Sequence, residues 1–551
     1  HTRRPYSYGA THMSTGTQTG ALSKHLSSSV SRQYHARRAR AAPLRALRHP
    51  VVPFSFGRPK DGVLDDTTRI VNDLYGPVIR EHIPVVPTKS LASLSAALDK
   101  RCNYFTSERV HHSILRANQD LLDSICPAPL DPIEWSHELF TEWNSQFDPA
   151  KQVRQAKAAV KIAEITSKEF STKQVFVKME ALLKRHDSDW APRIIYQSSD
   201  IHNALLGPIM QACTKRMFNA VKQVRGDDVL EFMGAYKQTS EEMIAHINAA
   251  GDDRSCFLST DFSANDSSQV CDVHMLEVAW LRRLGAPLWI TGLMLHANSF
   301  MAVNYTYAMK MRIKNQLPTG AQSTTFRNSM WNMTICKAFS IHVGRVGAAL
   351  ILGDDCLLRL DNATMRKRWY MRQYEYIAKL AHMVVKVTYR KTLEGSAFLS
   401  RWFVRLPLGY VTVPFLGKAI ARFNVCPNPK QDPASYLAGK ALSYSYEFRF
   451  FKPIAKLFLA KFVHLYDEGE LNLDGVGWNA RGLILRLGIE GILAEIKCPT
   501  AQGSIFDFSP LVHSMFGITA TDYYAVVISI LFGNEDISED RLGFLTSEWL
   551  G

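Results

Sequence analysis

The stretch that most constrains this 551-residue chain is a pair of adjacent acids framed by two apolar pentads. Ala348-Ala349-Leu350-Ile351-Leu352 precedes Gly353-Asp354-Asp355, and Cys356-Leu357-Leu358-Arg359-Leu360 follows it. Two short apolar runs joined through a glycine predict the buried strands of a hairpin, with both carboxylates at its tip. A rigid strand-turn-strand is the kind of support that can aim two acids into one site. The triplet alone says little, because Gly-Asp-Asp also occurs at 226–228 and 251–253. Neither of those copies has the frame. The first lies between Val224-Arg225 and a helical-looking run over 229–233; the second follows Asn248-Ala249-Ala250 and leads through Arg254 and Ser255 into a strand. Both read as surface turns or helix caps.

One hairpin cannot hold two divalent ions, since each needs several hard oxygen ligands, so a further carboxylate is expected at another strand end. Asp261 meets that need: it ends the run Cys256-Phe257-Leu258-Ser259-Thr260. Asp266 follows five residues on, just before a segment with Val273, Leu276, Trp280 and Leu284 on one helical face. A third piece runs from Pro318-Thr319-Gly320 through Thr324 and Asn328 into an apolar helical stretch that ends near His342. Gly320 permits a close-approaching loop, and Thr324 and Asn328, at i and i+4, share one helix face.

The net charge of +14 suggests a polyanionic partner, but its distribution weakens that argument. Residues 1–60 hold 11 Lys or Arg and no acid, leaving +3 for the rest. That segment, rich in Ser, Thr and Arg, reads as a mobile basic tail: a solvated linker or fragment edge, an RNA or acidic-membrane contact, or an organelle-targeting segment. Nine scattered cysteines without a C-x-x-C pair argue against a disulfide framework or zinc site and fit a reducing compartment. No run of eighteen apolar residues and no G-x-x-x-x-G-K-[ST] loop occurs, so neither a membrane span nor a fused P-loop helicase is expected. Residues 61–172 read as mostly helical, with an amphipathic basic run over 153–168.

Taken in order, these pieces resemble the palm motifs of viral RNA-dependent RNA polymerases. Asp261-x4-Asp266 resembles motif A, Thr319-Gly320-x3-Thr324-x3-Asn328 resembles motif B with Thr where Ser is usual, and Gly353-Asp354-Asp355 resembles motif C. Upstream, Lys178-Met179-Glu180-x3-Lys184 and Pro192-Arg193-Ile194-Ile195 resemble motif F, in a style similar to the tombusvirus and nodavirus side of the family. Downstream, Phe398-Leu399-Ser400-Arg401 resembles motif E. The resemblance implies an α+β right-hand fold of fingers, palm and thumb, with a small antiparallel palm sheet carrying the acids and a mostly helical thumb. The boundaries expected are a tail over 1–60, an N-terminal extension over 61–172, and fingers over 173–255. A palm over 256–402 with a fingers insertion about 285–317 follows, and then a thumb over 403–551.

It also implies the chemistry. Asp261, Asp354 and Asp355 would hold two Mg2+ ions, with Mn2+ as a possible substitute, and Lys178, Lys184 and Arg193 would pair with the incoming triphosphate. Asp266, Thr324 and Asn328 would take the ribose 2′ hydroxyl, with Gly320 shaping the loop; a site built on such bonds rejects deoxynucleotides. Lys386, in a strand-like run over 383–389, is the expected general acid for pyrophosphate, ahead of Lys379 and Lys391. Ser400 and Arg401 would touch RNA. In 436–466, Lys452 and Lys456 are interleaved with aromatic residues, a mixture that suits either a phosphate backbone or a packed core. The implied partners are an RNA template and product duplex, ribonucleoside triphosphates, viral or host replication proteins, and a peripheral membrane contact through the tail. The implied location is a membrane-associated replication complex in the host cytoplasm. A non-catalytic replication scaffold is disfavoured by the three intact acids, and a reverse transcriptase by Asp266, Asn328 and Gly353.

Overall fold

The computed structural model describes residues 73–79, 84–85, 87, 89–102, 109–180, 182–183, 191–226, 229–249, 254–297, 299–364, 366–426, 432–466, 471–497 and 502–533, with the backbone of Val51–Pro53. The basic tail apart from Val51–Pro53, together with Lys184, Asp227, Asp228 and the triplet at 251–253, therefore lies outside the described residues. The chain divides into two compact units. The first contains 89–178 and 191–391 with the Val51–Pro53 strand; the second takes its residues from 68–88, 179–190 and 392–551.

The apolar pentads of the first unit form the centre of a five-stranded sheet, in the order Val384–Arg390, Cys256–Ser263, Asp355–Leu360, Gly347–Leu352, Leu230–Gly234. Leu350, Ile351, Leu357 and Leu358 have no exposed surface, as expected for central strands covered on both faces. Three of the pairings are antiparallel, but Leu230–Gly234 runs parallel to Gly347–Leu352. Two expectations are corrected here. The sheet is mixed rather than antiparallel, and the helical-looking run over 229–233 is its edge strand, because five residues carry too little periodicity to outweigh pairing with a buried neighbour.

Helices cover this sheet. Thr324–Val343 is buried nearly all round, with Phe326, Met330, Met333 and Phe339 fully enclosed. Cys271–Arg283 buries Val273, Trp280 and the following Leu284, the face its spacing predicts. Asp200–Gln223 starts at Ser199, whose side chain accepts the His202 N–H. The basic run over 153–168 is not one helix: Pro149–Ala159 ends, a short 3-10 turn Ile162–Glu164 intervenes, and Ser167–Phe170 starts anew. Val153 and Val160 stay exposed, so no apolar stripe holds a longer helix against the core.

A second five-stranded sheet in the same unit has the order Val51–Pro53, Met309–Lys314, Ser299–Asn304, Thr172–Val177, Ile194–Gln197. Two distant stretches of chain thus share one sheet, with Thr172–Val177 parallel to Ser299–Asn304. Alternation in Met309–Lys314 buries Met309, Met311 and Ile313 and leaves the intervening Lys and Arg outward.

The second unit is mainly helical, with a three-stranded sheet of Ala397–Phe398, Arg401–Leu406 and Gly409–Pro414. Its helices include Pro433–Glu447, Lys452–Leu465, Trp478–Lys497, Ser509–Phe516 and Ala520–Phe532. The aromatic residues of 436–466 go inward: Phe448, Phe451 and Phe458 are fully buried, and Phe448 stacks on Phe458 at 5.6 Å. Lys452 and Lys456 remain exposed on the other face of their helix. Among the described residues no single helix is long and apolar enough to cross a membrane, and no disulfide joins the eight cysteines present.

Candidate active site

The hairpin turn places the acids. Leu352 pairs with Asp355, so Gly353 and Asp354 are the two turn residues. Gly353 has φ +63°, and Asp354 is not in the positive-φ region, the pattern of a II′ turn, whose first central position favours glycine. The neighbouring ladder runs to Cys356↔Thr260, so the next residues along, Asp355 and Asp261, are neighbours across two strands. Asp261 in turn pairs in register with Lys386, and side chains directly opposite in a ladder leave the same face. Both are exposed there.

The same registers deal with the other two triplets. Leu230, just after the first, pairs with Gly347, and Cys256, just after the second, pairs with Leu360. Both strands therefore begin at the end of the sheet away from the Asp354 turn.

Asp354 reaches water, yet protein surrounds the rest of it. Burial raises its carboxyl above the usual carboxylate range, the charges of Asp266 and Asp261 push the same way, and Arg193 opposes them. Three predicted acids and one predicted cation are thus within electrostatic reach of one another. Arg193 lies opposite Lys178, whose N–H donates to the Arg193 carbonyl at 2.8 Å where their two strands end.

Asp266 is held on both oxygens. Thr319 Oγ1 donates to Oδ2 at 2.6 Å and Asn328 Nδ2 donates to Oδ1 at 2.9 Å. Asn328, 4% exposed, also accepts from Gln269 Nε2 at 2.6 Å. The loop before the helix is fixed from the other side, since Thr319 O accepts the Tyr196 N–H at 3.0 Å. Gly320 is required there: its φ is +93°, and a Cβ would sit 3.2 Å from the Tyr196 carbonyl oxygen. Thr324 starts the helix as expected, but its hydroxyl is enclosed and makes no hydrogen bond, so it stands outside this network.

Two residues tie the helix to the acidic turn that sequence reasoning did not single out. Ser329 Oγ accepts the Gly353 N–H at 2.8 Å, and Asn332 Nδ2 donates to the carbonyls of Asp354 at 3.1 Å and Gly353 at 3.4 Å. The i+4 step from Asn328 to Asn332 was the available signal. Arg401, in the second unit, spends its guanidinium inside that unit on Glu447 and Thr412, and Ser400 has the positive φ of 57° at the bend before it. The arrangement gives Arg401 the geometry of a packing strut.

Among the described residues no group of three or more His, Cys, Asp or Glu forms a ready-made metal cage. Mg2+ is typically held by one or two carboxylates with water and substrate phosphates, not by a complete protein cage. The residues present fit such an ion, because Asp266 and Asp261 act on Asp354 more strongly than Arg193 opposes them.

The family whose model matches this chain makes it a nucleotidyltransferase. It belongs to the RNA-dependent RNA polymerase family of positive-strand RNA viruses: the family model matches residues 59–432, which include every candidate residue except Lys452 and Lys456. The match also takes in the whole of the 61–172 stretch, where no chemical motif stood out. A comparison with curated proteins returns no match.

Proposed function

We propose that this RNA-directed RNA polymerase joins ribonucleotides by two-metal nucleotidyl transfer, with the Asp261 and Asp354-Asp355 strands as its palm. The single observation carrying this reading is the strand register that makes Gly353 and Asp354 a tight turn and sets Asp355 beside Asp261 on the adjacent strand. Asp261, Asp354 and Asp355 would hold two Mg2+ ions, which supply charge neutralisation for the attacking 3′ oxygen and the departing pyrophosphate. Arg193 and Lys178 take the triphosphate oxygens from the neighbouring sheet, which acts as fingers, and the helical second unit acts as thumb. Asp266 and Asn328 read the sugar. The carboxylate accepts from the 2′ hydroxyl and the amide donates to it, both already oriented by Thr319 and Gln269. Orientation made before substrate arrives is what lets such a pair discriminate strongly against a sugar lacking the hydroxyl.

Asn328→Ala is therefore expected to cut the preference for ATP over dATP by roughly a hundred-fold in primed single-nucleotide incorporation. An unaltered preference would remove Asn328 from sugar selection. Lys386, which pairs in register with Asp261, would protonate the leaving pyrophosphate. For Lys386→Leu the alkaline limb of the pH–rate profile should disappear; a profile identical to wild type assigns that proton elsewhere.

A further inference from the structure

One residue before Asn328, Arg327 is buried to 2% exposure on the inner side of the Thr324–Val343 helix. Its Nη1 lies 3.5 Å from Glu277 Oε2 and 3.3 Å from His274 Nδ1, both on the Cys271–Arg283 helix. A guanidinium only donates, so His274 Nδ1 accepts, and its Nε2–H donates to the Met294 carbonyl at 2.8 Å. Three helices are thereby joined through one buried cation. The charged form of Arg327 is opposed by burial and favoured by Glu277 and then Asp266, so the cluster is electrostatically continuous with the sugar-reading pair.

Stability gives no reason for this cluster. Arg327 Nε and Nη2 and Glu277 Oε1 are buried without hydrogen-bond partners, and well-packed apolar side chains usually serve a core as well as a half-satisfied ion pair. Position does give a reason. Asp266 lies just ahead of the Cys271–Arg283 helix, and Asn328 follows Arg327 directly. The Arg327–Glu277 tie sets where one helix stands against the other, hence where Asn328 stands against Asp266.

We propose that Arg327, anchored by Glu277 and His274, is a positioning residue for ribose selection, holding Asn328 and Asp266 in the geometry that takes the 2′ hydroxyl. This rests on the assignment of that pair to the sugar. Arg327 itself touches neither sugar nor metal; it acts through Asn328.

The test measures kcat/KM for ATP, dATP and 3′-deoxy-ATP opposite a template U, with melting temperatures alongside, in Glu277→Gln, Arg327→Lys and the double variant Glu277→Gln/Arg327→Met. Expected is a fall of about ten-fold in the ATP-over-dATP preference in each, with 3′-deoxy-ATP following ATP because it keeps the 2′ hydroxyl. The double variant leaves no buried charge stranded, so it should melt close to wild type and still show the reduced preference. Restored stability without restored selectivity separates positioning from simple support. A folded variant that selects ATP as wild type does, or that loses both substrates equally, overturns the proposal. Asn328→Ala in the same assay distinguishes the two failures: if it too selects normally, the sugar reading itself is wrong; if it alone loses selectivity, only the role of Arg327 is.

Discussion

At Asp354 the protein maintains a carboxylate against burial and against the charges of Asp266 and Asp261. Its folded pKa is raised, so the native state binds this proton more tightly than the unfolded chain. Stability from this group is therefore lost as pH rises through the raised value and regained as pH falls toward the ordinary carboxylate range. Asp354→Asn removes the charge and keeps the shape. The variant should melt higher than wild type in metal-free buffer near neutral pH, the difference should shrink as pH is lowered, and Mg2+ should raise the wild-type melting temperature more. A variant that melts lower at every pH would show that the Asp354 charge is not under strain. The acids were legible in the sequence because apolar runs framed them; their partners were less so. Ser329 and Asn332 act on backbone groups of the turn, and nothing in a string of letters says which backbone a helix will meet. Arg327, polar in an otherwise enclosed helix, was visible as an oddity only once its surroundings were known.

Elements were readable where local pattern and tertiary demand agreed. The hairpin, the Cys271–Arg283 helix with its Val273 and Trp280 face, and the Val384–Arg390 strand form as their spacing indicates. Leu230–Gly234 and the broken 153–168 segment do not, because one is decided by a partner strand far along the chain and the other by the lack of a core to pack on. At this scale the Thr324–Val343 helix is tied to the acidic turn by the hydrogen bonds of Ser329 and Asn332. Asn332→Ala removes the donor shared by the Gly353 and Asp354 carbonyls and should cost about 1 kcal/mol of stability. Because it frees the turn that aims the acids, kcat should fall by roughly ten-fold with little change in nucleotide KM. A lowered melting temperature with unaltered kcat would make Asn332 a stabiliser alone.

For the whole molecule, the family match over residues 59–432 gives meaning to features that charge could not. Most of the net charge of +14 sits in the first 60 residues, and the remainder is close to neutral, so the proposed triphosphate contacts depend on local cations such as Lys178 and Arg193 rather than on overall charge. Sheets drawn from distant stretches, 172–197 with 299–314, and 256–263 with 347–360, bring those cations and the acids into one unit, an assembly that no single window of sequence displays. The most direct test of the central claim uses the purified protein, a primed RNA template, four ribonucleotides and Mg2+, with the Asp354→Asn/Asp355→Asn double variant beside it. Templated RNA product from the wild type and none from the double variant is the result expected. Templated product that persists in the double variant would contradict the assignment of the active site to the Gly353-Asp354-Asp355 turn.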